Sequence, residues 1–168
     1  VKEAEKLAID GVSELIVVAQ DTTAYGEDIY GKPMLPELLR ELAKIEKLHW
    51  IRTLYTYPEK ITDELLDTIA EEKKLVHYLD MPLQHADGEI LKRMNRRGDR
   101  EALTKLIEKI RAKIPDITLR TTFITGFPGE TDEQFTELCE FINEVKFDRL
   151  GCFAYSPEED TPAAKMDC

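Results

Sequence analysis

Helical segments and short apolar strands alternate along this chain, and that pattern predicts an α/β fold with a parallel sheet. Three observations carry the reading. Five runs rich in β-branched and aromatic residues lie near 14–20, 50–56, 75–83, 118–125 and 149–155. Between them lie segments whose apolar residues recur at helical spacing. No long linker or low-complexity stretch interrupts the series, so the 168 residues form one domain large enough for a hydrophobic core. Strand–helix–strand units at this spacing require right-handed crossovers, which place successive strands parallel.

The elements follow in order. A helix over residues 1–10 ends at Gly11, and the first strand follows it. Pro36 suits the first turn of a second helix with the stripe Leu38, Leu39, Leu42 and Ile45. Thr62 caps the next, turning Leu65, Leu66 and Ile69 inward. Leu103, Leu106, Ile107, Ile110 and Ile114 mark a longer helix. Residues 135–145 form the last, with Phe135, Leu138, Ile142 and Val145 as its core stripe.

One segment is unusually informative. Residues 120–135 read RTTFITGFPGETDEQF. The β-branched run ends in a turn carrying Gly126, Pro128 and Gly129. Thr131 with Gln134 then forms a capping box that opens the last helix. A strand, a tight turn and a helix N-terminus make a ligand-binding corner in an α/β fold.

Alternation along the strands assigns side chains to the two faces of the sheet. Leu79, Met81 and Leu83 meet the helices, so Asp80, Pro82 and Gln84 face inward. Arg120 and Thr122 share one face of the fourth strand with Ile124 and Gly126, and Arg52 shares one face of the second with Trp50 and Leu54. An acid and two arginines facing inward on three successive strands must pair with one another or meet a ligand. Active sites of parallel sheets gather at the carboxyl ends of the strands. Those ends hold Gln20, Asp21, Tyr57, Gln84, His85, Gly126 to Glu130, and Tyr155 to Pro157. Asp21, followed by two threonines, suits a turn as well as a contact. His85 suits a helix cap as well as a substrate contact. His49 and His77 lie at the opposite ends of their strands and read as structural. The arginines at 93, 96, 97 and 100 read as a solvated face, or, in so acidic a chain, as a grip on something anionic.

Composition bounds the function. No apolar run reaches the ~20 residues of a membrane span, and no signal peptide is legible. Cys139, Cys152 and Cys168 show neither disulfide nor metal spacing, which suits a reducing, cytoplasmic setting. Cys139 falls on the apolar stripe of the last helix and reads as a core residue, Cys152 as a structural strand residue, and Cys168 ends the chain. A net charge of −11 disfavours direct binding to a nucleic-acid backbone and suits a basic partner.

The chain resembles the radical S-adenosylmethionine methylthiotransferases along its whole length. Besides residues 120–135, the likeness rests on VAQDTTAYG at 18–26, HWIR at 49–52 with YTYP at 55–58, MPLQHADGEILKRMNRRG at 81–98, and FDRLGCFAYS at 147–156. The 81–98 stretch resembles the RimO-type branch, which modifies a small-subunit ribosomal protein. Relatives that modify tRNA have Val-Gln-Ser in place of Leu83-Gln84-His85 and an Asp near Thr122. The resemblance implies a six-stranded partial (β/α) barrel, five of whose strands are in this chain. It implies S-adenosylmethionine as cofactor, contacted by Gln20, Asp21, Gln84, Arg120, Thr122, Gly126, Phe127 and Pro128. Tyr57, His85 and Tyr155 would line the substrate mouth.

The family's [4Fe–4S] cluster is held by Cys-x3-Cys-x2-Cys, a spacing this chain lacks. The chain therefore reads as a core-domain segment. The cluster loop with the first strand, an N-terminal auxiliary-cluster domain and a C-terminal TRAM-like domain would lie outside it, and no metal ligand within it. The wider superfamily's Gly-x-Ile-x-Gly-x-x-Glu string is altered here, with Thr122 for the first Gly and the acid displaced to Glu130. The resemblance further implies that in the whole enzyme cleavage of S-adenosylmethionine yields a radical that abstracts hydrogen from an aspartate β-carbon, and that a methylated sulfur is inserted. Two alternatives stand beside this: a tRNA adenosine methylthiotransferase of the same family, and a non-catalytic α/β domain. A metal-dependent or Schiff-base barrel enzyme would need an inward lysine or ligand cluster, which the sequence does not offer.

Overall fold

The computed structural model describes residues 1–166; Cys168 lies outside the described residues. Helix α1 (Lys2–Ile9) leads into β1 (Glu14–Val17), a short α2 (Glu27–Tyr30) and α3 (Leu35–Ala43). Strand β2 (Trp50–Thr53), α4 (Asp63–Glu71), β3 (Tyr78–Asp80), α5 (Gly88–Arg93) and α6 (Arg100–Lys113) come next. The chain closes with β4 (Thr118–Thr125), α7 (Asp132–Val145) and β5 (Arg149–Ala154).

All the strand pairs are parallel. Regular ladders join β1 to β2, and β3 to β4 to β5, giving a two-stranded and a three-stranded sheet. A single parallel bridge, Ile51 to Leu75, connects them. The strands thus run in sequential order along one arc, the order of a barrel wall. The side turned to the helices buries Ile51, Leu79, Met81, Leu119 and Phe123, which join Leu39, Leu66, Ile107, Leu138 and Phe141 in one core. The other side leaves Ile16, Val18, Trp50 and Phe153 exposed. β1 pairs only with β2 among the described residues, so its second edge is free, as an open arc requires.

Local chemistry explains most of the helix starts. The side chains of Thr62, Asp87, Asp99 and Thr131 each accept an amide of the first turn, and Thr131 completes its capping box with Gln134. Three strands are shorter than expected: β1 ends at Val17 instead of Gln20, and left-handed backbone interrupts the other two. Tyr55 adopts φ +58° and Gln84 φ +71°, left-handed conformations that break a pleat. β2 therefore stops at Thr53 and β3 at Asp80, before Pro82, which has no amide to give a ladder.

Three expectations about side chains are corrected. Phe135 is 45% exposed. The buried row of α7 begins at Leu138 and is anchored by Phe141, whose ring meets Phe123 and Phe147. Cys139 is half-buried beside that row. Cys152 is exposed, because it shares the outer face of β5 with Leu150 and Ala154, both also exposed.

A polar ladder crosses the inner face of the arc. Glu14 Oε1 accepts from Arg52 Nε at 2.8 Å, and the Arg52 guanidinium lies 4.6 Å over the Tyr78 ring. Asp80 Oδ1 accepts from Arg120 Nη1 at 2.7 Å. Of the two inward arginines, Arg120 is thus the partner of Asp80, while Arg52 is held by Glu14. Asp80 also joins the two sheets. Its Oδ2 accepts the Tyr55 amide at 3.3 Å, and its carbonyl accepts the Thr56 amide and hydroxyl at 2.9 and 2.8 Å.

Asp80→Ala will leave a cation and a backbone amide without their acceptor. Asp80 is 1% exposed but Arg120 is 37% exposed, which screens part of the pair. The expected loss is about 2–3 kcal/mol in chemical denaturation, with Asp80→Asn in between. Burial, and secondarily the Asp80 carboxylate, raise the Tyr78 phenol above its ordinary 10.0. The unfolded chain ionises first, so this contribution is intact below pH 10 and is lost as pH rises through the folded value. A late-titrating component of the tyrosinate absorbance, present in the wild type and missing in Tyr78→Phe, is the expected result.

Candidate functional site

The strand ends converge on the turn after β4. Gly126 and Gly129 both take positive φ, +71° and +79°. Glu130 closes the turn: its Oε2 accepts the amides of Gly126 and Phe127, the latter at 3.1 Å. Its Oε1 meets His85 Nε2 at 3.2 Å. His85 Nδ1 accepts the Asp87 amide at 3.0 Å, which assigns the ring proton to Nε2 and makes that nitrogen the donor to Glu130. Asp87 Oδ1 then holds both the Ile90 amide and the Gln134 side chain, so the network ties the start of α5 to the start of α7. The His85 and Glu130 side chains are 0% and 4% exposed. Arg93 Nη1 donates to the Pro128 carbonyl at 3.1 Å, and a Cβ on Gly129 would fall 1.6 Å from that nitrogen.

Gln84 stands at the centre of the mouth. Its backbone pairs with β4 on both sides, donating to the Thr122 carbonyl and accepting the Ile124 amide, each at 2.9 Å. Its side-chain Oε1 is buried and has no hydrogen-bond partner. Two cavities adjoin it. One, of about 300 Å³, is lined by Gln20, Tyr55, Tyr57, Pro82, Gln84, Arg96, Arg120, Thr122 and Phe153. The other, of about 390 Å³, lies between Gln84, Ile124 and Phe127 on one wall and residues 93–96, 161–163 and 166 on the rest. These are volumes typical of small-molecule sites.

The structure brings together Gln20, Tyr57, Gln84, Arg120 and Thr122 in the first cavity, with Phe127 in the second. Five other expected residues shape or pack against the turns instead. Asp21 caps the short turn at Thr22–Ala24 by accepting from Thr23, and pairs with Lys60 at 3.2 Å. His85 is sealed in the network with both ring nitrogens engaged, so the sequence's capping alternative fits it better than a substrate contact. Gly126 and Pro128 shape the turn and line neither cavity. Tyr155 packs its ring on Phe127 at 5.3 Å and keeps its hydroxyl buried without a partner. The sequence reading missed Tyr55 and Arg96. Arg96 belongs to the arginine run for which a solvated face is the first reading, yet its guanidinium lies 4.0 Å over the Tyr57 ring and it borders both cavities. His77 and His49 lie at the other strand ends as expected, His77 paired with Asp116 at 2.7 Å.

Glu130→Gln will put an NH2 group against donors on one side of the carboxylate, the imidazole N–H or the two turn amides. The expected cost is about 1–3 kcal/mol. His85→Asn in the same background should cost far less than it does alone, because the two side chains form one unit; a double-mutant cycle in denaturant measures this.

Comparison with known proteins places this geometry. A family model described as the radical SAM superfamily matches residues 1–142. The ribosomal protein uS12 methylthiotransferase RimO of Alkaliphilus oremlandii is 58% identical over 165 residues, covering 98% of this chain and 38% of that protein. The protein of the same name from Lachnoclostridium phytofermentans is 59% identical over 166 residues, covering 99% and 38%. The chain thus spans less than two-fifths of these relatives' length. Among solved structures, the radical S-adenosylmethionine methyltransferase TsrM from Kitasatospora setae superposes with a TM-score of 0.73 at 18% identity, covering 97% of this chain and 32% of that one. Coproporphyrinogen III oxidase HemN from Escherichia coli gives 0.68 at 24%, covering 98% and 38%. At those identities the likeness is one of fold. With the parallel arc, the turn after β4 and the matched family model in agreement, this chain belongs to the radical SAM superfamily.

Proposed function

We propose that this chain is part of the core domain of a methylthiotransferase whose substrate is ribosomal protein uS12, and that it forms part of the pocket for S-adenosylmethionine. The observation that carries the reading is 54–59% identity, over nearly the whole chain, to proteins named for that activity. In this reading the modified atom is the β-carbon of an aspartate.

The residues at the mouth fit a polar nucleoside ligand. Gln84 offers a buried amide oxygen with no protein partner, an acceptor suited to an amine or hydroxyl of the cofactor. Thr122 adds a hydroxyl beside it, and the Tyr55 and Tyr57 rings add apolar wall. Arg120, fixed by Asp80, gives a positive border that cannot swing into the space where substrate must enter. The closed turn at Gly126 to Glu130 sets the depth of the second cavity through Phe127. Bound there with an iron–sulfur cluster, S-adenosylmethionine supplies the one-electron chemistry that an aspartate β-carbon requires. Cys139 on α7 and Cys152 on the outer face of β5 stand away from the mouth, so thiolates for such a cluster come from neither. The acidic balance of the chain favours encounter with a basic protein such as a ribosomal one.

Mass spectrometry of ribosomal proteins and tRNA from a deletion strain, before and after complementation, tests the reading. The expected result is loss of a methylthio group from uS12 and its return on complementation. Loss from tRNA with uS12 unchanged would assign the chain to the tRNA-modifying branch.

A further inference from the structure

We propose that Tyr55 reads the protein substrate at the mouth, its phenol donating a hydrogen bond to an oxygen of the segment that carries the target aspartate. The inference deepens the function proposed above and rests on it, because that function brings a polypeptide to this cavity.

The first ground is the direction of the side chain. Ile51 and Thr53 are buried on the helix side of β2, and alternation would send residue 55 to the same side. Tyr55 instead takes φ +58°, borders the first cavity and keeps 43% of its surface exposed. The left-handed backbone reverses the alternation, so a tyrosine that the strand pattern assigns to the core stands at the mouth.

The second ground is how firmly that backbone is held. A bulky side chain at positive φ is rare, and the conformation persists only where the surroundings fix it. Here they fix it on both sides. The Tyr55 amide donates to Asp80 Oδ2 at 3.3 Å, and the Tyr55 carbonyl accepts the Thr22 amide at 3.1 Å and the Thr22 hydroxyl at 3.2 Å. Glycine or asparagine would sit in this conformation with less strain, yet the position holds a tyrosine whose ring the core does not use.

The third ground is what the side chain offers. Among the described residues the Tyr55 backbone takes part in hydrogen bonds and its phenol in none. Of the two tyrosines on this cavity, Tyr57 is half-buried beneath the Arg96 guanidinium, and Tyr55 is the one open to solvent. A macromolecule arrives from solvent, and an exposed tyrosine meets it with an apolar ring and a hydroxyl donor together.

The test uses the full-length reconstituted enzyme. Tyr55→Phe keeps the ring as a wall of the cavity and deletes only the phenol. The expected result is a rise in KM for a uS12 peptide of roughly 3–10-fold, the size of one neutral hydrogen bond, with kcat and the affinity for S-adenosylmethionine unchanged. Tyr55→Asn suits the left-handed backbone, so it should denature no earlier than wild type while raising peptide KM further. Peptide Kd, measured again with alanine in place of the target aspartate, locates the acceptor. If the difference between wild type and Tyr55→Phe vanishes, the acceptor is the aspartate carboxylate; if it persists, the acceptor is a peptide carbonyl. A folded Tyr55→Phe enzyme with wild-type peptide KM overturns the inference, and so does a loss confined to S-adenosylmethionine affinity. A wild-type enzyme that binds S-adenosylmethionine but leaves the peptide unmodified overturns the proposed substrate, and the inference with it.

Discussion

The structure depends on a single buried carboxylate. Regular pairing stops between β2 and β3, and Asp80 spans the gap. One oxygen holds Arg120 of the next strand, the other holds the Tyr55 amide, and the carbonyl holds Thr56. Among the described residues, only one bridge, Ile51 to Leu75, does similar work at the other end of the strands. A carboxylate is suited to this place because it accepts several donors at once while an arginine neutralises it. An apolar side chain would fill the volume but leave the Tyr55 amide and the Arg120 cation unmet. The curvature that turns two small sheets into one arc is thereby tied to the same residue that fixes the positive wall of the mouth.

Charge is distributed unevenly over this molecule. The outer helices carry pairs such as Arg100 with Glu140 and Glu144, and Lys109 with Asp63, all largely exposed. Each contributes little to stability, because solvent screens it, and weakens further with salt. The inner face holds fewer charges, but each has a fixed geometry: Glu14 with Arg52, Asp80 with Arg120, Arg93 on a carbonyl, Arg96 on a ring. The surplus of acid lies outside, and the cavities are bordered by cation. An anionic small molecule and a basic macromolecule can thus be received by one acidic protein on different surfaces.

What the sequence showed, and what it hid, divides along local and non-local physics. β4 was legible to the residue, because a β-branched run met unambiguous turn chemistry at Gly126. The Asp80–Arg120 pair followed from strand parity together with the cost of a lone inward charge. Tyr55 and Gln84 could not be foreseen in left-handed backbone, since nothing local in a Tyr or a Gln signals positive φ, and this shortened two strands. The His85–Glu130 contact joins residues 45 positions apart, so neither neighbourhood announced it. Arg96 hid within a run of arginines whose ordinary reading is a solvated face. Only the placement of Tyr57, on another loop, gives it a different surface.

The left-handed backbone of Gln84 limits what this position can become. An ordinary side chain in that conformation carries a penalty of about 1 kcal/mol, which glycine would relieve and asparagine would lessen. Glycine, however, would delete the buried amide, and asparagine would withdraw it by one methylene from the junction of the two cavities. Selection for stability and selection for the site therefore pull this residue in opposite directions. Random mutagenesis screened only for thermal resistance should enrich glycine at position 84, and the proteins it yields should be sturdier and emptier at the mouth.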